Sequence, residues 1–424
     1  MSEPRYLALR FLLEVEQGRH ADELTLISAF GRLARADRGL ARELVYGCLR
    51  QLRLLDYTLA QHSTTALSKL DSPIHWLLRL GAYQIAFLRV PDHAAVDTSV
   101  GLCRRLGFRS AAGFVNAVLR NVIRKPVPPP DGTDARSLSI RYSHPEWLVK
   151  RYLDRWGLET TRLLLEQNNQ PGRSVFWVNP RRGSRQALLE SLQQAGLEGS
   201  PHAVLEQGVW VKDSSAATLA MWTDWGFFMD EASQRIVHKR VPSRARRVGD
   251  LCAAPGGKSF LLETQLSAGA TLVAADISPK RLHQLRERAG RLGIRPLSLL
   301  QCDAASPPFR RASFDLLLLD VPCSGLGTLR SNPDLRWRVR ESQLAVFRQR
   351  QIDILMASVQ LLSRNAILTY STCSTEPEEN EEVLEHLIEA SSIPIRIQKT
   401  NRNFPGENPG DSFFWAELAS PHNS

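Results

Sequence analysis

No apolar run in this chain approaches the roughly 18 residues needed to cross a bilayer, so no membrane-spanning helix is expected. The amino terminus, Met1-Ser2-Glu3-Pro4-Arg5, opens into an amphipathic pattern without a signal-peptide profile. Six cysteines in 424 residues (48, 103, 252, 302, 323 and 373) are too few and too scattered for a disulfide framework. None is paired closely enough with other ligands for structural zinc, so no metal is expected, and a reducing, cytoplasmic location fits best. Internal repeats are absent, and one Pro-rich stretch is the sole low-complexity tract.

The remaining composition, 43% hydrophobic and 23% charged, is that of a globular protein, and the length calls for two or three domains. Net charge is +10, carried mainly by Arg. The planar guanidinium fork grips two phosphate oxygens at once, which suits a nucleic-acid partner, although solubility alone would also account for the charge. Nothing in the chain demands a dimer, and a monomer is expected.

Residues 1–125 read as an all-α domain, with apolar positions at helical spacing over Tyr6–Leu13, Leu40–Leu59 and Trp76–Leu88. Lys125-Pro126-Val127-Pro128-Pro129-Pro130 then stops any helix, and 126–134 is a linker. Residues 135–240 mix helices (His144–Trp156, Arg181–Gly196) with strands (Val175–Val178, Val209–Lys212, Phe227–Met229), a small α+β unit. Over 241–424 strands alternate with helices: Val248–Leu251, Ser259–Leu266, Thr271–Ala275, Pro279–Leu292, Pro296–Leu300, Asp315–Leu319, Glu341–Leu362, Ala366–Tyr370 and Glu378–Ala390. Ile393–Ile397 and Phe413–Leu418 would close the sheet as an edge hairpin. This alternation predicts an α/β, Rossmann-like domain with a parallel sheet covered on both faces.

Three motifs fall at predicted strand ends, where open α/β sheets build their sites. The first is Asp250-Leu251-Cys252-Ala253-Ala254-Pro255-Gly256-Gly257-Lys258, a turn whose glycines let backbone approach a ligand. A phosphate-binding loop would need Gly six residues before Lys258, where Cys252 stands, and G-x-G-x-x-G is also absent. An adenosine ligand without a pyrophosphate remains, and S-adenosylmethionine is the commonest. Asp276, 19 residues after Gly257, is placed for ribose hydroxyls, and Asp303 for a base edge.

The other two motifs are Asp320-Val321-Pro322-Cys323-Ser324-Gly325 and Tyr370-Ser371-Thr372-Cys373-Ser374. Carbon 5 of cytosine is a poor nucleophile until a thiolate adds at carbon 6, which breaks aromaticity and makes carbon 5 enamine-like. The attacking group must afterwards leave, which favours Cys over Ser. Asp320 is placed to hydrogen-bond the base and stabilise charge on the ring during addition. Cys48 and Cys103 fall in helical apolar patterns and read as core. Spacing alone does not say which of Cys323 and Cys373 attacks.

With the acidic run Glu376–Glu382 behind them, and with Phe228-Met229-Asp230-Glu231-Ala232-Ser233-Gln234 ahead, these motifs resemble the RNA cytosine-5 methyltransferases. Within that family, residues 1–125 resemble the NusB-like RNA-binding domain of the bacterial RsmB/Sun type, and Arg141-Tyr142-Ser143-His144-Pro145-Glu146-Trp147 matches the start of its middle region. The resemblance implies S-adenosylmethionine as cofactor, held by Cys252–Lys258 (with Ala253, Ala254, Pro255, Gly256 and Gly257 between), Asp276, Asp303 and Asp320. It implies a cytosine of small-subunit (16S) ribosomal RNA as substrate, Cys373 as nucleophile and Cys323 as the residue assisting product release. Two segments depart from the family pattern: Leu362-Ser363-Arg364-Asn365 stands where Pro-Gly-Gly is usual, and Asp411-Ser412-Phe413-Phe414 where Asp-Gly-Phe-Phe is usual. Arg330–Trp337 is read either as a loop over the base or as a surface connection. A non-catalytic RNA-binding or antitermination factor with a decayed enzyme domain is the alternative, disfavoured by the intact Lys258, Asp276, Asp320, Cys323 and Cys373. Methylation of DNA or of an exocyclic amine is also disfavoured.

Overall fold

The structure, a computed structural model, describes residues 3–21, 23–172, 174–212, 222–295, 297–402 and 411–420. Two compact units emerge, the first from the described residues of 1–171 with Asn332–Glu341, the second from those of 172–331 and 342–424.

The first unit is helical: α1 (Glu3–Glu16), α2 (Glu23–Phe30), α3 (Arg35–Ala60), α4 (Ser72–Phe87), α5 (Asp92–Arg105), α6 (Ala112–Arg124), α7 (Ala135–Arg141) and α8 (Glu146–Asn168). Leu9 and Leu12 of α1, Leu44 and Val45 of α3, Leu77 of α4 and Val115 and Leu119 of α6 are buried together in its core, at the helical spacing that the sequence predicts. Cys48 and Cys103 lie in this core as expected. Gly47 makes room for the Tyr83 ring, since a Cβ there would meet it at 2.0 Å. The predicted helix end at Trp156 holds: Gly157 takes φ 70° and ψ 179°, outside helical geometry, so α8 is two helical segments joined at a kink there.

One part of this unit was not legible. Residues 332–341, which follow the Pro-Cys motif in sequence, belong to it and carry the short helix Leu335–Arg338. Arg336 there is 1% exposed and donates to the carbonyls of Arg50, Ser143 and Asn168 and to Asn169 Oδ1, at 2.9–3.1 Å. Trp337 Nε1 donates to Leu49 O at 2.7 Å. Arg336 and Trp337 are thus built into the helical unit, against the surface-connection reading.

The second unit holds two sheets. Strands β1 (Ser174–Val178), β2 (Gly199–Pro201), β3 (Gly208–Val211) and β4 (Gly226–Asp230) form an antiparallel sheet in the order β2-β3-β1-β4, with the helix Arg185–Gln194 between β1 and β2. The larger sheet comprises β5 (Arg247–Asp250), β6 (Thr271–Asp276), β7 (Ser298–Gln301), β8 (Phe314–Asp320), β9 (Leu362–Thr372), β10 (Arg396–Arg402) and β11 (Phe414–Ala419), in the order β10-β11-β9-β8-β5-β6-β7. Pro296, the first residue of one predicted strand, lies outside the described residues. Strands β5 to β9 are parallel and β10 and β11 antiparallel, so the sheet is mixed where a parallel one was expected. The predicted hairpin forms, and its second strand also pairs with β9.

Alternation along β8 explains the layers. Leu317 and Leu319 join Ile352, Leu355, Val383 and Leu384, from helices Leu344–Val359 and Glu381–Ala390, on one face. Leu316 and Leu318 join Ile236, Phe260 and Leu285, from helices Glu231–Val237, Gly257–Glu263 and Pro279–Leu292, on the other. Trp177 of β1 packs on Phe227, and Phe227 edge-on to Phe260, tying the small sheet to this second face. Asn365, in the segment that departs from Pro-Gly-Gly, takes φ 61°, a left-handed conformation that Asn tolerates better than most residues.

Candidate active site

Strand order reverses between β5 and β8, and the crevice at their carboxyl ends is where a doubly wound sheet takes its ligand. The sequence-predicted residues converge there. Asp250, at the end of β5, is buried; its Oδ2 accepts from Ser259 Oγ at 2.6 Å, while its Oδ1 has no protein partner. Burial pushes its carboxyl up to about 7. Gly256 has φ 102°, and a Cβ there would lie 2.5 Å from the Phe260 ring, so the turn into the following helix requires glycine. At Gly257 a Cβ would meet Met229 Sδ at 3.4 Å and Met229 Cε and Phe227 Cε2 at 3.6 Å, ordinary contacts.

Asp276, at the end of β6, is 3% exposed and accepts from the amides of Ala254 (3.1 Å) and Ser278 (2.9 Å). These bonds fix the carboxylate beside the turn. Asp303, beyond β7, accepts from Ala305 N and is paired with Arg350, which holds its carboxyl below the usual range. Cys252 and Cys302 adjoin these carboxylates, and burial pushes both thiols up.

Asp320 ends β8 directly opposite Ser371 of β9. Its Oδ2 lies 2.6 Å from Lys258 Nζ, and its Oδ1 accepts from Ser371 Oγ at 2.9 Å. Three residues past Asp320 and two past Ser371, the two motif cysteines meet: Cys323 Sγ and Cys373 Sγ are 3.2 Å apart, and Cys373 N points at Cys323 Sγ at 3.4 Å. The hydrogen bond to Cys373 and burial push the Cys323 thiol well up. Either sulfur can be the donor in this contact.

The sequence did not single out Glu379, Gln351 or Asn380, which lie beneath the cysteines. Glu379 is fully buried and accepts from Ser324 N (2.7 Å), Gln351 Nε2 (3.0 Å) and the hydroxyls of Ser324 and Ser374. Its place in an acidic run carries no local signal of burial. Among the described residues, no group of three or more His, Cys, Asp or Glu side chains is arranged to hold a metal.

A doubly wound sheet with a glycine turn at the switch point and carboxylates at successive strand ends defines a methyltransferase fold. The solved structure of PH0851 superposes with a TM-score of 0.84 over 98% of each chain at 21% identity. NSun6 from Pyrococcus horikoshii, solved with SFG, superposes at 0.56 over 65% of this chain and 98% of its own, at 18% identity. Family models match along the sequence: 16S rRNA methyltransferase RsmB/F over residues 241–419, the NusB family over 2–124, and an RsmF/B-like ferredoxin-like domain over 144–218. The probable ribosomal RNA small subunit methyltransferase B of Bacillus subtilis is 32% identical over 91% of this chain and 88% of its own. The ribosomal RNA small subunit methyltransferase B of Escherichia coli O127:H6 is 31% identical over 95% of each. The chain belongs to the RsmB/F family of 16S rRNA methyltransferases, and its cofactor is S-adenosylmethionine. The unpartnered Oδ1 of Asp250, the glycine turn and the fixed Asp276 carboxylate fit a polar, adenosine-bearing ligand at the switch point.

Proposed function

We propose that this protein methylates carbon 5 of a cytosine in 16S ribosomal RNA through a covalent adduct between Cys373 and the base. The observation that carries the reading is the 3.2 Å approach of two thiols at the ends of adjacent parallel strands, beside the Lys258–Asp320 pair. S-adenosylmethionine, when bound, supplies an electrophilic methyl group. Residues Cys252–Lys258 with Asp276, Asp303 and Asp320 would hold it, Asp276 through the ribose hydroxyls.

Cys373 is the thiolate of the pair, and Cys323 Sγ, 3.2 Å away, is within reach to donate an S–H to it. The thiolate adds to carbon 6 of the base. Asp320, held by Lys258 and Ser371, faces the ring; a proton delivered to nitrogen 3 on that side neutralises the negative charge that the thiolate brings onto the ring. Once carbon 5 carries the methyl group, a base on the Cys323 side takes its proton and the carbon–sulfur bond breaks. The Cys323 S–H then stabilises the departing thiolate, which assigns Cys323 to product release. The Arg-rich chain and its NusB-like part supply phosphate contacts that position folded RNA, while the target base is presented unstacked.

Nucleoside analysis of 16S RNA methylated in vitro tests this reading. It expects 5-methylcytosine at one position; a methyl group on another base or on an exocyclic nitrogen would reject it.

A further inference from the structure

We propose that Glu379 is a positioning residue that holds the loops of Cys323 and Cys373 at one mutual distance, a role that rests on the reading of the two thiols given above. The flanking residues of both cysteines are gripped from below. Pro322 O accepts from Gln351 Nε2 at 2.9 Å, and Ser324 gives both its amide and its hydroxyl to Glu379. On the other side, Ser374 Oγ donates to Glu379, Thr372 Oγ1 donates to Asn380 Oδ1, and Asn380 Nδ2 donates to Ser374 O at 3.1 Å. Tyr370 OH, one strand turn earlier, closes on Glu379 O at 2.7 Å.

The chemistry of this brace favours a carboxylate. Four donors converge on two oxygens, the N–H groups of Ser324 and Gln351 on one and the hydroxyls of Ser324 and Ser374 on the other, and an ionised carboxyl accepts all four. An amide would turn its N–H₂ group toward the two hydroxyls, which must then reverse and accept through neutral, weaker bonds. Burying a charge is costly, and burial does push the Glu379 carboxyl up. A residue that only filled space would be better served by an apolar side chain. What the carboxylate adds is a direct link between two loops that are 50 residues apart in sequence, while its oxygens bond the neighbours of the cysteines and not the sulfurs.

The test compares full-length wild type with Glu379→Gln and Ser374→Ala, the second variant removing one donor while leaving the carboxylate in place. Three quantities are read: kcat on 16S RNA, KM for S-adenosylmethionine, and the rate at which the oxidant diamide closes a Cys323–Cys373 disulfide, followed by mass. For Glu379→Gln, kcat falls by about a hundredfold, as a displacement on the order of 1 Å would cause, with KM for the cofactor unchanged and disulfide closure slowed. For Ser374→Ala the fall is about tenfold, with closure slowed in parallel. If Glu379→Gln does not fold, shown by loss of cofactor binding in calorimetry, Ser374→Ala decides by the same criteria. Wild-type closure rates in the folded variants overturn the proposal, whatever happens to kcat. Slowed closure, together with a Cys373→Ala variant that still methylates at the wild-type rate, supports the brace and rejects the thiol chemistry.

Discussion

Lys258 Nζ lies 2.6 Å from Asp320 Oδ2, joining the turn after β5 to the end of β8, 62 residues away in sequence. The Lys258 side chain is 9% exposed and that of Asp320 32%, so the pair is partly shielded and worth more than a surface ion pair. A double-mutant cycle with Lys258→Met and Asp320→Asn should give a coupling energy of about 1–3 kcal/mol in urea unfolding. A coupling below about 0.3 kcal/mol would show that the two side chains are held independently.

Asp250 makes stability depend on pH in a defined direction. Its folded-state carboxyl titrates near 7 against an ordinary 3.8, because burial disfavours the charge. Below the unfolded value both states are protonated and nothing is lost. As pH rises from about 4 to 7 the unfolded chain releases its proton first, so stability falls across that window and then levels. The fall is at most about 4 kcal/mol. Asp250→Asn should flatten this part of the profile in denaturant melts at stepped pH; an unchanged slope would assign it to other groups.

The two glycines of the turn separate folding from binding. Gly256→Ala introduces a Cβ at φ 102° against the Phe260 ring and should cost about 1–3 kcal/mol of stability. Gly257→Ala meets the flexible end of Met229 and the edge of the Phe227 ring at ordinary contact distances and should leave stability within about 0.5 kcal/mol. If Gly257 is glycine so that the cofactor can approach the backbone, calorimetry will show the same variant binding S-adenosylmethionine about tenfold more weakly. Full affinity would remove Gly257 from the cofactor site.

Arg336→Met keeps the length of the side chain and strips its donors from three backbone carbonyls and the Asn169 side chain. The carbonyls of Ser143 and Asn168 are buried with it, and that of Arg50 and the Asn169 side chain are half-buried, so the variant should lose about 3 kcal/mol or more of stability. Unfolding followed by urea would show this; a loss under about 1 kcal/mol would mean that water replaces the guanidinium.

The parts of the molecule written in short-range pattern were legible from sequence. The continuous apolar run Leu316–Leu319 of β8 and the helical spacing of α1, α3 and α4 carry their own burial signal, and the motifs after β5, β8 and β9 sit at strand ends as expected. What escaped depends on partners far along the chain. Arg336 lies in a polar stretch, and its acceptors lie 167 to 286 residues away. Glu379 stands beside Glu378 in an acidic run, and only the meeting of three segments buries it. The antiparallel hairpin at the sheet edge was legible, but its pairing to β9 was not, because a strand of six residues does not record which neighbour it will join.

Covalent catalysis by Cys373, with release assisted by Cys323, is open to test by trapping the adduct. Wild type, Cys323→Ala and Cys373→Ala are incubated with 16S RNA lacking the modification and labelled S-adenosylmethionine, then resolved on denaturing gels. A protein–RNA adduct should accumulate in Cys323→Ala alone, with no methyl transfer by Cys373→Ala. An adduct in Cys373→Ala, or methylated RNA produced by it at the wild-type rate, would rule out Cys373 as the nucleophile.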